Sequence, residues 1–265
     1  MKYISTRGFE GKFSAQEAII KGIAPDGGLF VPESIPVLTD DDIEQMKNMQ
    51  FCEISARVLS KYLDDFSEDE LLGFAREAYS EEKWGENPVP LVQLNSYNER
   101  EYILELWHGP TCAFKDVALQ MLPHLMTASM KKTGENKKIC ILTATSGDTG
   151  KAALEGFKDL PGTEIIVFYP TGGVSEAQKL QMVTTTGDNT HVIAVNGCFD
   201  DAQTVLRISS PIRHLTMNSS QAASSCLPRT RSTGAVLLLR SLTMFIPTSS
   251  FSEPRRSRRV SPSIS

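Results

Sequence analysis

Apolar runs of strand length at 102–106, 138–143, 164–169 and 191–195 are separated by stretches whose apolar residues recur at helical spacing, at 116–132, 149–158 and 175–184. Strands that are apolar on both faces and alternate with helices predict a parallel sheet covered by helices. In such a sheet ligands bind at the carboxyl ends of the strands. Here those ends are 107–115, 144–150, 170–175 and 196–200.

The first 85 residues follow a different pattern. Ser14 with Glu17 has capping-box spacing for a helix from Ala15 that Gly22 closes. Pro25-Asp26-Gly27-Gly28 is a turn into a short strand at 29–31, and Pro32 and Pro36 keep the following connector extended. Two amphipathic helices are expected at 40–63 and 68–79. This is a small, mostly helical scaffold with no assigned catalysis. Pro88-Val-Pro90 marks its boundary with the α/β region, giving units of 1–85 and 86–206.

Charge divides the chain a second time. From Ser209 onward there are eight Arg, one Glu and no Lys or Asp, near +7 within a total of −5, which leaves the first 208 residues near −12. An acidic body argues against nucleic acid as its partner. Five scattered cysteines (52, 112, 140, 198, 226) make no C-x-x-C pair and no Cys/His cluster, so neither a metal nor a disulfide framework is expected. With no apolar signal core and no run of membrane-spanning length, a cytoplasmic protein is expected.

Two strand ends carry candidate chemistry. In Glu105-Leu-Trp-His108-Gly-Pro-Thr111-Cys-Ala-Phe-Lys115-Asp116, a strand breaks at Gly109-Pro110 and a helix follows, with Pro123 as a candidate kink. Lys115 lies at the helix entry, beside N–H groups that favour anions. Partial desolvation by Phe114 and Trp107 would make its amine a nucleophile toward carbonyls; a solvated first-turn lysine is the plain alternative. His108 reads as a general base or as a turn-stabilising hydrogen-bond partner, and Trp107 as a core residue.

The second, Thr143-Ala-Thr-Ser146-Gly147-Asp148-Thr149-Gly150-Lys151, has hydroxyls, glycines and helix-start N–H groups suited to a carboxylate or phosphate. It is not a Walker A loop, because Thr145 stands where the first Gly belongs and Ala152 follows Lys151. Further on, Ser175 is an N-cap with Gln178 three residues later.

These two words, with Tyr3-Ile-Ser-Thr-Arg7-Gly8 and Gly22-Ile-Ala-Pro-Asp-Gly-Gly-Leu-Phe-Val-Pro32 before them, resemble threonine synthase, a pyridoxal-phosphate enzyme of the tryptophan-synthase-β-like fold. The resemblance runs from Tyr3 to about Leu206. It implies an α/β parallel sheet, here incomplete, and conversion of O-phospho-L-homoserine and water to L-threonine and phosphate. By the same resemblance Lys115 holds pyridoxal phosphate as a Schiff base, Asp148 approaches the cofactor ring oxygen, and Ser146, Gly147, Thr149 and Gly150 grip the substrate carboxylate. The family's glycine-rich cradle for the cofactor phosphate falls beyond the matched part, so impaired activity is expected. Two alternatives stand beside this reading: a catalytically inactive remnant or binding protein of the same fold, and another β-replacing lyase such as a cysteine-synthase-like enzyme.

Residues 207–265 read as a Ser/Arg-rich tail without regular structure. A basic tail of this kind could bind nucleic acid or anionic lipid. The resemblance suggests a sharper reading, an out-of-frame translation. Codons that encode Arg229 to Leu237 can be chosen so that the third-base frame reads Asn-Ser-Ile-Asn-Trp-Gly-Arg-Leu, a word of the family. A coding sequence whose shifted frame fails to restore the family words overturns it.

Overall fold

Tyr3 and Phe30 open the structure as buried members of a small antiparallel pair, β1 (Tyr3–Ser5) with β2 (Phe30–Pro32). The computed structural model describes residues 1–94, 101–134 and 138–202, and the backbone of 225–227. Between β1 and β2 lies α1 (Ala15–Lys21). Its start is the expected capping box of Ser14 and Glu17, and Gly22 closes it at φ +65°.

The single helix expected over 40–63 is two, α2 (Asp40–Met46) and α3 (Phe51–Ser60). A fresh cap makes the break, because the Gln50 N–H donates to the Glu53 carboxylate at 2.8 Å at the start of α3. Asp42 ties the two together: it caps Thr39 at the start of α2 and accepts from Lys61 Nζ at 2.9 Å just past α3. Then come α4 (Glu68–Ala78), capped by Ser67 and Glu70, and the single turn α5 (Glu81–Trp84).

The segment expected as the first strand of the parallel sheet is not in that sheet. Instead β4 (Tyr102–Leu104) pairs antiparallel with β3 (Leu91–Gln93) as a separate hairpin. With Tyr102 and Ile103 both 40% exposed, this strand does not have the two covered faces of a parallel-sheet strand. The helix expected over 116–132 is also divided, into α6 (Asp116–Leu119) and α7 (Leu122–Thr133). Pro123 falls in the first turn of α7, where a missing N–H costs nothing, so it marks a restart rather than a kink.

The main sheet is built from β5 (Ile139–Ala144), β6 (Thr163–Pro170) and β7 (Thr190–Val195), linked by α8 (Asp148–Phe157) and α9 (Glu176–Val183). All pairings are parallel, in the spatial order β7-β6-β5 with a fourth strand beyond β5. The strand β8 (Ser225–Leu227) lies in the tail, where no regular structure is expected from the sequence; its backbone pairs with Ile139–Ile141 of β5. A sheet edge offers main-chain groups that pair whatever the incoming side chains are. The rest of the tail, and with it the out-of-frame reading, lies outside the described residues.

One apolar cluster joins both parts of the chain, from Tyr3, Leu59, Leu63 and Leu71 through Leu119, Met121 and Leu125 to Ile141, Leu154 and Ile165. The helices α1 and α4 pack on α7, so the amino-terminal scaffold leans on the helices that follow Lys115.

Candidate active site

The turn that presents Lys115 is organised by the residue after it. Asp116 is fully buried and accepts from Thr111 N at 2.8 Å, Thr111 Oγ1 at 2.7 Å and Ala113 N at 3.5 Å. These bonds fold residues 111–115 back on the first turn of α6. Burial pushes the Asp116 carboxyl above the usual carboxylate range, against the Thr111 and Ala113 hydrogen bonds and the Lys151 charge. Within the turn Cys112 sits at φ +56°, a left-handed conformation that costs a non-glycine residue about 1–2 kcal/mol. Gly109 permits the closure, since a Cβ there would stand 2.6 Å from Asp116 Oδ2 and 2.8 Å from the Trp84 ring.

Lys115 is half-buried, with helical backbone angles, and its Nζ lies 4.4 Å from the centre of the Phe114 ring. That ring supplies the apolar neighbour expected from the sequence. Trp107 is not a core residue: it is 51% exposed and stacks on His108. The reason is the hairpin, which takes residues 102–104 out of the main sheet and leaves the segment after them uncovered at Trp107. The His108 Nε2 is 2.6 Å from Glu105 Oε2, which fits the turn-stabilising role. As α6 is only one turn long, the helix field expected beside Lys115 is small.

The second strand end is held by a residue that sequence reasoning passed over. Thr145 is buried, and its Oγ1 accepts from both Gly147 N and Gly150 N at 2.9 Å. Two N–H groups expected to face a ligand are therefore already engaged. Those of Asp148 and Thr149, in the first turn of α8, belong to the set that a helix leaves without an internal partner. Ser146 is exposed at the tip of the loop, and Gly147 turns it at φ +136°.

Asp148 links the two strand ends and the next helix. Its Oδ1 accepts from Gln178 Nε2 at 2.9 Å and lies 3.4 Å from Lys151 Nζ. The Gln178 amide beside it, and then the Lys151 and Lys115 charges, hold its carboxyl below the usual range, against a smaller effect of burial. Lys151 is itself buried, a placement that needs a compensating charge. The structure thus brings Lys115, Asp148, Lys151 and Gln178 into one electrostatic neighbourhood at the carboxyl end of β5, with Ser146, Gly147, Thr149 and Gly150 on the same loop.

Neither Thr145 nor Lys151 was singled out as a site residue from the sequence, and Gln178 was read only as a cap. The one signal was Ser175-x-x-Gln178, a capping box whose second contact, 30 positions back, leaves no mark in spacing.

Comparison with known proteins follows the same outline. Residues 2–79 match the family model described as threonine synthase N terminus. Threonine synthase of Schizosaccharomyces pombe is 42% identical over 216 residues, covering 78% of this chain and 41% of that protein. Threonine synthase of Pseudomonas aeruginosa is 40% identical over 218 residues, covering 79% and 44%. The crystal structure of threonine synthase from yeast superposes with a TM-score of 0.78 at 31% identity, over 95% of this chain and 50% of that one. The pyridoxal-phosphate-bound threonine synthase of Brucella melitensis gives 0.72 at 31% identity, over 94% and 53%. This chain therefore spans less than half the length of the curated relatives it matches here, and over that span it belongs to the threonine synthase family.

Proposed function

We propose that this chain carries the lysine-bearing part of a site that converts O-phospho-L-homoserine and water to L-threonine and phosphate, with pyridoxal phosphate bound through Lys115. The observation that carries the reading is Lys115 itself, half-buried with its Nζ 4.4 Å from the centre of the Phe114 ring; its charge also helps to hold the Asp148 carboxyl, at the start of α8, below the usual range. A half-buried amine over an aromatic ring suits a carbonyl, and the first-turn N–H groups of α8 suit an anionic group.

Bound there, the cofactor supplies an electron sink beside the substrate's amino group. Once the substrate amine has displaced it, Lys115 Nζ would move protons at the α and β carbons of the substrate. The Asp148 carboxylate would lie toward the cofactor's ring oxygen. The Ser146 and Thr149 hydroxyls and the first-turn N–H groups of α8, held in the loop that Gly147 and Gly150 shape, orient the substrate carboxylate, so that binding energy becomes alignment. Asp116 and Thr111 fix the turn from which Lys115 projects. The match of residues 2–79 to the threonine synthase amino terminus favours this substrate over acetylserine and a cysteine-synthase-like reaction. The units 1–85 and 86–206 are proposed as scaffold and partial catalytic domain. A cytoplasmic setting is proposed from the acidic body and scattered cysteines.

Binding and turnover are tested separately. Titrating the full chain with pyridoxal phosphate should produce a visible absorbance band that Lys115→Ala abolishes; a band unchanged in Lys115→Ala overturns the lysine assignment. Phosphate release from O-phospho-L-homoserine supports the reaction. Turnover of acetylserine alone, or of neither substrate by a cofactor-loaded chain, overturns it.

A further inference from the structure

Gln178 has both ends of its side-chain amide engaged. Its Oε1 accepts from Ser175 N and Ser175 Oγ, each at 3.1 Å, closing the capping box of α9. Its Nε2 donates to Asp148 Oδ1 at 2.9 Å. Turning the amide over would place its oxygen against a carboxylate oxygen and its NH2 group against the Ser175 N–H, so only one orientation satisfies both ends. Gly147 lies directly beneath, where a Cβ would collide with the Gln178 amide.

The two ends have different chemical requirements. A capping box accepts either Gln or Glu at the third helical position, because only the oxygen is used. The contact to Asp148 accepts only the amide, because it needs a donor. Gln at this position meets a demand that comes from α8, not from the helix that contains it.

We propose that Gln178 is a positioning residue for the candidate site: it grips Asp148 by Oδ1, together with Lys151, so that Oδ2 is the oxygen left to meet a ligand beside Lys115. The inference rests on the reading of Asp148 as the ligand-facing carboxylate. The charged groups acting on Asp148 are Lys151 on its own helix and Lys115 ahead of α6. Helix α9 contributes a neutral donor, and its own charges Glu176 and Lys179 pair with each other at 3.7 Å.

Gln178→Glu separates the two roles. It keeps the cap and replaces the donor with a second carboxylate, and two carboxylates at this distance do not both ionise readily. The Asp148 carboxyl titration is followed by NMR in the full chain without cofactor, for the parent, Gln178→Glu, Gln178→Ala and Ser175→Ala. The expected result is a midpoint about one unit or more higher in Gln178→Glu, and a smaller rise in Gln178→Ala, which removes the donor without adding charge. Ser175→Ala, which loosens the cap but keeps the amide, should move it least. An unchanged midpoint in Gln178→Glu and Gln178→Ala overturns the proposal, as does a shift in Ser175→Ala equal to theirs.

A parallel titration with pyridoxal phosphate distinguishes this failure from failure of the functional reading. If the parent takes no cofactor while the Asp148 midpoint moves as expected, the grip stands and the proposed function falls. If the parent shows the visible band and Gln178→Glu leaves its pH profile unaltered, the positioning role falls alone.

Discussion

The Tyr79 hydroxyl donates to the main-chain oxygen of Val117 at 2.7 Å, and both residues are buried. It joins the end of α4 to the second residue of α6, two positions after Lys115. Lys83 Nζ to Gln120 Oε1, at 3.3 Å, makes a second tie between the same regions. The amino-terminal helices therefore hold the lysine-bearing turn by its backbone.

Removing that hydroxyl with Tyr79→Phe leaves a buried carbonyl without its donor, which costs about 1–3 kcal/mol. Urea unfolding should show the loss as a lower midpoint with an unchanged slope. A midpoint equal to that of the parent would mean that the bond carries no net stability.

Gly109→Ala should be more damaging than its size suggests. The added methyl meets Asp116 and the Trp84 ring at once, and overpacking of this kind costs about 1–3 kcal/mol. Because Asp116 organises the turn, cofactor affinity should fall in the same variant. Stability lost with affinity intact would separate the turn from the site.

Asp116→Asn probes the buried carboxyl itself. The folded-state value is raised, so between the unfolded value of about 3.9 and the raised one the native chain holds a proton that the unfolded chain has lost. That contribution is full below the unfolded value and disappears as pH rises through the folded one. The amide can still accept from Thr111 N and Ala113 N through its oxygen and donate to Thr111 Oγ1. Chemical denaturation from pH 4 to pH 8 should show a declining contribution in the parent that is absent from the variant. Identical pH profiles would place the carboxyl in water.

Thr145→Val keeps the shape of the side chain and removes the acceptor of two loop N–H groups. Leaving both groups unpaired costs about 1–3 kcal/mol each, less whatever water recovers. Amide exchange at Gly147 and Gly150 should accelerate sharply in the variant. Unchanged protection at both would show that the loop is held by something other than the hydroxyl.

Local rules were legible wherever one residue's chemistry decided the outcome. The Ser14 and Ser175 caps, the Gly22 closure and the strands of the 138–195 region all follow from spacing within a few residues. What spacing did not show was competition between equally apolar alternatives. Residues 102–104 have the composition of a sheet strand, yet they pair back on 91–93, since partner choice depends on contacts distant in sequence. The break between α2 and α3 was missed because Gln50 is an uncommon cap, and it works here through Glu53. At the site, Lys115 and the 146–150 loop stood out as chemistry at strand ends. Thr145, Gln178 and the buried Lys151 did not, because each acts through a neighbour rather than through a recognisable word.

The chain's two tryptophans flank neighbouring residues in contrasting surroundings: Trp84 is buried at 3% exposure against Gly109, and Trp107 is half exposed beside His108. The protein therefore carries its own pair of optical reporters with contrasting surroundings. A water-soluble quencher should dim Trp107 long before Trp84. Emission that survives the quencher would follow the seam between helices and turn, and the quenchable fraction would follow the exposed surface beside His108. Loosening of the seam and covering of that surface could thus be watched separately in a single cuvette, with no label attached.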